Sequence, residues 1–155
     1  MRLVLFHLLL LFPSALFAQT VWGGAALSSP QTVGGAVGIR QQWTRLAITG
    51  EGGLDKDAGY WFAVASTPIH RRVWIGGGAQ GLYLKKHSPQ YGTQFDVEVV
   101  LAKNWVLVLR QEKPRLTAAR LVYFAPLSSR WLLRGHLDWR GKNGVTINVG
   151  LGRKM

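Results

Sequence analysis

Gly144-Val145-Thr146-Ile147-Asn148-Val149-Gly150-Leu151-Gly152, near the end of the 155-residue chain, alternates bulky apolar residues with small or polar ones without a break. Successive side chains of a strand point to opposite faces. Val145, Ile147, Val149 and Leu151 therefore share one face, and Thr146, Asn148, Gly150 and Gly152 share the other. A bulky apolar face backed by a small polar one suits a strand with lipid outside and a crowded polar lumen inside. The pattern recurs upstream and sets the expected class: all-β, a single antiparallel up-and-down barrel.

Reading outward for period two and turn residues predicts ten strands, with eight as the alternative. They run over 20–27, 32–42, 45–53, 59–66, 72–84, 92–101, 105–111, 116–124, 130–140 and 145–152. The connections fall into two alternating sets. Ser29-Pro30, the 54–58 segment, the 85–90 segment, 112–115 and Lys142-Asn143-Gly144 are the longer and more charged ones. The Trp43-Thr44 corner, Thr67-Pro68-Ile69-His70, Ala102-Lys103-Asn104 and the 126–129 segment form the second set. In transmembrane barrels the outward loops exceed the periplasmic turns in length, so the first set is expected to face out. A three-residue loop at Lys142-Asn143-Gly144 would place Trp139 opposite Ile147 and Leu137 opposite Val149. The same arithmetic at the 102–104 turn places Leu101 opposite Trp105 and Val99 opposite Leu107.

Aromatic residues gather at the strand ends. Trp22, Trp43, Trp74, Trp105 and Trp131 lie near the proposed periplasmic turns, and Tyr60, Trp61, Tyr83, Tyr91 and Trp139 near the other ends. Amphipathic rings prefer the headgroup region, so all ten are expected to form two membrane-interface girdles. The face opposite the aliphatic one collects charge: Arg40, Glu51, Asp96, Glu98, Arg110, Arg120, Arg134, His136, Asp138 and Arg140. Four of the chain's seven acidic residues are among them. Charges inside a barrel wall must be paired or wetted, and the planar arginine fork suits carboxylates. A lumen plugged by ion pairs is the expectation. Around Val106, Val108, Ala118 and Val122 both faces are apolar, so alternation does not assign them.

Chemistry finds little support. His136 and Asp138 have the spacing for a carboxylate to orient an imidazole, yet no nucleophile motif accompanies them, and they are read as members of the plug. Histidines at 70, 87 and 136 lack metal-ligand spacing, so no metal or other cofactor is expected. The glycines at 76–78 and 81 lack the lysine and helix of a phosphate loop.

The chain starts Met1-Arg2, continues with an apolar run over 3–12, and passes through Pro13-Ser14-Ala15-Leu16-Phe17-Ala18-Gln19. A basic start, short apolar core and small residue before a polar one describe a cleavable signal peptide, residues 1–18, ahead of a barrel domain over 19–155. There are no cysteines, hence no disulfide framework and no thiol to lipidate. The formal charge of +12 suggests an anionic partner. Export argues against nucleic acid and for phosphate-bearing lipid.

With leader, alternating strands, girdles and the terminal 144–152 strand, the mature chain resembles the small outer-membrane β-barrel proteins of Gram-negative bacteria. It departs from them in ending Arg153-Lys154-Met155 where a terminal aromatic is usual. The resemblance implies outer-membrane residence and dealings with the barrel-assembly machinery. The function expected is a non-enzymatic envelope role, with Lys56, Lys85, Lys86, Lys113, Arg115 and Lys142 facing lipopolysaccharide. Three alternatives stand beside it: a narrow anion-favouring channel, a periplasmic lipocalin-like carrier of an apolar ligand, and a lipid-modifying enzyme.

Overall fold

A computed structural model describes residues 18–28, 32–85, 87–112, 116–139 and 144–154. They form ten strands: β1 (Ala18–Ser28), β2 (Thr32–Gln42), β3 (Ala47–Leu54), β4 (Ala58–His70), β5 (Val73–Leu84), β6 (Gln90–Ala102), β7 (Trp105–Glu112), β8 (Leu116–Pro126), β9 (Trp131–Trp139) and β10 (Val145–Lys154). Each strand pairs antiparallel with its neighbours in sequence, and β1 closes on β10. Closure leaves no edge with unpaired backbone groups, the condition for β-structure inside a membrane. Residues 1–17 of the expected leader lie outside the described residues, while Ala18 already stands in β1 opposite Gln42.

Three sequence expectations about local geometry are corrected. The 67–70 segment is strand rather than turn: β4 continues to His70, and Arg71 and Arg72 make the connection. Pro68 has no N–H to give a ladder, and the pairing shifts between Pro68 and His70, as a bulge allows. At the 102–104 turn, Val99 faces Leu107 as expected, but another irregularity brings Ala102, and not Leu101, opposite Trp105. In the last hairpin Trp139 faces Val145 and Leu137 faces Ile147, two residues away from the expected register. A two-residue slip keeps every side chain on its face, which is why alternation could not detect it. Gly144, at φ 93°, occupies the left-handed region beside that connection.

The seam is closed by small residues. A Cβ at Gly24 would run into the Val149 carbonyl oxygen, and one at Gly150 into that of Gly23, so glycine lets β1 and β10 meet. Around the barrel the two faces separate cleanly. Val21, Ala25, Leu27, Val33, Val37 and Ile39 project outward from β1 and β2, and Val145, Ile147, Val149 and Leu151 from β10. Among the described outward strand positions the only charged residue is Arg153, at the very end of β10. The other charged strand residues with described side chains, Lys154 at the end of β10 included, lie on the inward face.

Candidate functional site

The inner face carries a charge network built by alternation on seven strands. Arg120 on β8 is its hub. Its Nη1 and Nη2 reach the two carboxylate oxygens of Glu51 on β3, each at 2.9 Å, while Nε and Nη2 grip Asp138 on β9, the latter at 2.8 Å. Tyr60 Oη donates to Glu51 at 2.9 Å, and Arg134 Nη2 stands 3.5 Å from the same carboxylate. The Glu51–Arg120 pair therefore ties β3 to β8 across the interior. Arg110 makes a two-pronged contact with Asp96, both bonds at 3.1 Å, and Gln94 donates to that carboxylate at 2.9 Å. Closer to the chain termini, Arg40 on β2 reaches Glu98 on β6 at 3.0 Å and Thr49 at 3.1 Å. Four guanidinium groups thus meet four carboxylates, and the count balances. Planar forks satisfying carboxylates in pairs are the arrangement in which buried charge is tolerable.

Aromatic rings line the arginines. Arg110 lies 4.2 Å and Arg120 5.5 Å from the Phe62 ring centre, and Arg134 is 4.1 Å from that of Trp22. Arg40 stands 5.8 Å from Trp74. Stacking a weakly hydrated guanidinium on a ring face recovers part of its lost solvation.

His136 Nδ1 lies 2.9 Å from Arg134 Nη1, and its Nε2 lies 3.5 Å from Asp138 Oδ2. Arginine has no acceptor, so Nδ1 must accept. The ring is then the tautomer with its proton on Nε2, aimed at Asp138. Both nitrogens are occupied by the network, which leaves the imidazole poorly placed to act as a base.

Of the ten residues expected in the lumen, nine lie on the inner face and take part in these contacts; Arg140 falls outside the described residues. The aromatic expectation needs correction at three positions. Trp22, Tyr60 and Trp74 face inward, not toward the membrane interface: Trp22 and Trp74 pack against arginines, and Tyr60 bonds Glu51. Trp61, Tyr83, Tyr91, Trp105, Trp131 and Trp139 are exposed near strand ends, with Trp105 against Tyr123 at a centroid distance of 4.6 Å. Trp43 lies in the β2–β3 turn, where its N–H donates to the Leu46 carbonyl at 2.7 Å. Of the loop cations, Lys56 and Lys85 are exposed, Lys56 3.8 Å from Asp57; Lys86, Lys113, Arg115 and Lys142 lie outside the described residues.

Sequence reasoning missed a cavity of about 550 Å³ between the network and the end that carries both chain termini. One wall is apolar, made by Val106, Val108, Val122, Phe124, Pro126 and Leu132 of β7–β9. Arg40, Thr49, Trp74 and Glu98 form the other, and Arg71, Lys103 and Lys154 stand at the rim. The only signal in the sequence was the two-sided apolar character of β7 and β8.

No family matches the sequence, and no curated protein resembles it. Solved structures do. The chain is similar to the KdgM porin, with a TM-score of 0.51 at 10% identity over 88% of this chain and 99% of that one. A designed transmembrane barrel, TMB2.3, gives 0.49 at 9% identity over 92% and 98%. The Yersinia pestis outer membrane protein Ail gives 0.44 at 12% identity over 90% and 99%. The fold, a closed antiparallel ten-strand barrel, is that of the outer-membrane β-barrel class.

Proposed function

We propose that this chain is a non-enzymatic integral protein of the bacterial outer membrane, with a lumen held shut by its balanced charge network. One observation carries the reading. The outward strand positions are apolar or small across the middle of the barrel, and all eight network charges point inward. Each lipid-facing arginine or lysine at the bilayer midplane would cost roughly 2–4 kcal/mol. A soluble carrier would invert this arrangement, placing its charges on the outer face.

Cross-barrel pairing supports closure. Glu51, Arg120, Asp138 and Arg134 stand where an ion would have to pass, and opening a path would separate charges already desolvated against one another. An anion-favouring channel requires its arginines to line water instead. At the loop end Lys56 and Lys85 are exposed, and in this reading they meet lipopolysaccharide phosphates, each cation near such a surface contributing about 1 kcal/mol. The barrel-assembly machinery is the partner we propose for its insertion.

Planar-bilayer recording on the refolded protein tests the reading. Electrical silence is expected. Steady anion-selective steps, abolished by Arg134→Ala, would replace the plugged barrel with a channel.

A further inference from the structure

The cavity at the terminus-bearing end is amphiphilic, and its charge is not balanced. Inside, the four arginines are matched by Glu51, Asp96, Glu98 and Asp138. At the rim, Arg71, Lys103 and Lys154 line the mouth, and among the described residues no carboxylate pairs with any of them. These three cations sit at the opening of a pocket whose β7–β9 side is apolar at Val106, Val108, Val122, Phe124, Pro126 and Leu132, with Arg110, Arg120 and Arg134 lining it deeper.

The floor adds a second feature. Trp22 and Arg134, both lining the cavity and both buried, carry the indole Nε1 and guanidinium Nε without acceptors among the described residues. Buried donors ordinarily have partners. Depth follows from the strand: Asn104 at the rim and Arg110 at the floor are six residues apart on the β7 side. With a rise of ~3.4 Å per residue and a tilt of ~40°, that is roughly 15 Å. The volume of about 550 Å³ lies within the range of small-molecule sites.

From this geometry we infer that the cavity binds a single-chain anionic amphiphile, its alkyl chain along Val106, Val108, Val122 and Leu132 and its headgroup at Arg71, Lys103 and Lys154. An acidic sugar would bring hydroxyls against the apolar wall and leave them unpaired, at a cost. A cationic chain would meet like charge at the mouth. This goes beyond the envelope role proposed above and needs only the pocket, which exists whichever way the barrel is oriented.

The test is methyl NMR on the full mature protein in phosphatidylcholine nanodiscs, titrated with octanoate, octyl phosphate and octyltrimethylammonium. Inward methyls of Val108, Val122 and Leu132 report the cavity, and outward methyls of Val97 and Leu121 report chain partitioning into lipid. Octanoate, octyl phosphate or both should give saturable shifts of the inward methyls only. The carboxylate alone would point to free fatty acids, and the phosphate alone to phospholipid-derived chains. Affinity should fall about fourfold for each methylene removed. It should fall about fivefold for each of Lys103→Gln and Lys154→Gln. Val122→Trp, or the milder Val122→Phe if the first does not fold, should abolish saturation. Equal shifts with the cationic chain, shifts no larger than those of the outward methyls, or unchanged binding in the filled variant would overturn the assignment.

Discussion

Replacing Glu51 by glutamine would keep the shape of the network's centre and remove one charge from it. Glu51 accepts from Tyr60 at 2.9 Å and from both Arg120 terminal nitrogens at 2.9 Å, with Arg134 at 3.5 Å. Glutamine offers one oxygen, and its amide N–H₂ must confront a guanidinium that also donates. Four inward-facing arginines would then face three carboxylates, with Asp138 left to Arg120 and Arg134 without its carboxylate. Losing two charge-assisted bonds at ~1.5–3 kcal/mol each gives about 3–6 kcal/mol. Breaking a buried pair by removing one partner typically costs ~3–5 kcal/mol, and the overlap sets the expected loss at about 3–5 kcal/mol. Adding Arg134→Met should recover part of that loss, because the count returns to three and three. Urea unfolding in lipid vesicles, followed by tryptophan fluorescence, measures all three variants in one double-mutant cycle. A Glu51→Gln protein within about 0.5 kcal/mol of wild type, or a strictly additive double variant, would refute the claim that this carboxylate is dry and shared.

Leu121 occupies the middle of β8 and faces outward between Leu107 and Leu137, so Leu121→Arg should destabilise by ~2–4 kcal/mol in vesicles. The same assay should separate two glycines. Gly150→Ala drives a Cβ into the Gly23 carbonyl at the β1–β10 seam and should lower stability or block closure. At Gly135, where a Cβ would come no nearer than 3.7 Å to the Asn148 carbonyl, alanine should be neutral or stabilise by ~0.4–1 kcal/mol. Arg110→Met leaves Asp96 with only Gln94 of the two partners described above, and should cost ~3–5 kcal/mol, read as a lowered urea midpoint.

Alternation made the strands and the inner charges legible, because a barrel wall between lipid and a crowded lumen imposes opposite polarities on adjacent residues. It served best where both faces were distinct, as in β10, and around Asp96 and Glu98. Register was less accessible: the last hairpin slipped by two residues, a change to which period two is blind. At two of the three inward aromatic positions, parity along the strand gives the face. Tyr60 neighbours Trp61, and Trp74 lies between outward Val73 and Ile75, so neither could share its neighbours' face. Strand-end position alone does not decide which face a ring occupies. Trp22 was harder, since its parity partners Gly24 and Ala26 are apolar like the opposite face. The cavity was hidden for the same reason, because a strand apolar on both sides gives no sign of which side meets lipid.

Lipid outside the barrel and the charge network inside it would give adjacent residues of one strand opposite surroundings. The chain has no cysteine, so single cysteines can be introduced along Val145–Leu151 and spin-labelled without background. Power-saturation measurements in vesicles then give oxygen accessibility at each position. A period of two is expected, with Val145, Ile147, Val149 and Leu151 high and Thr146, Asn148 and Gly150 low. A flat profile, or one with the maxima on the Thr146 and Asn148 side, would contradict it.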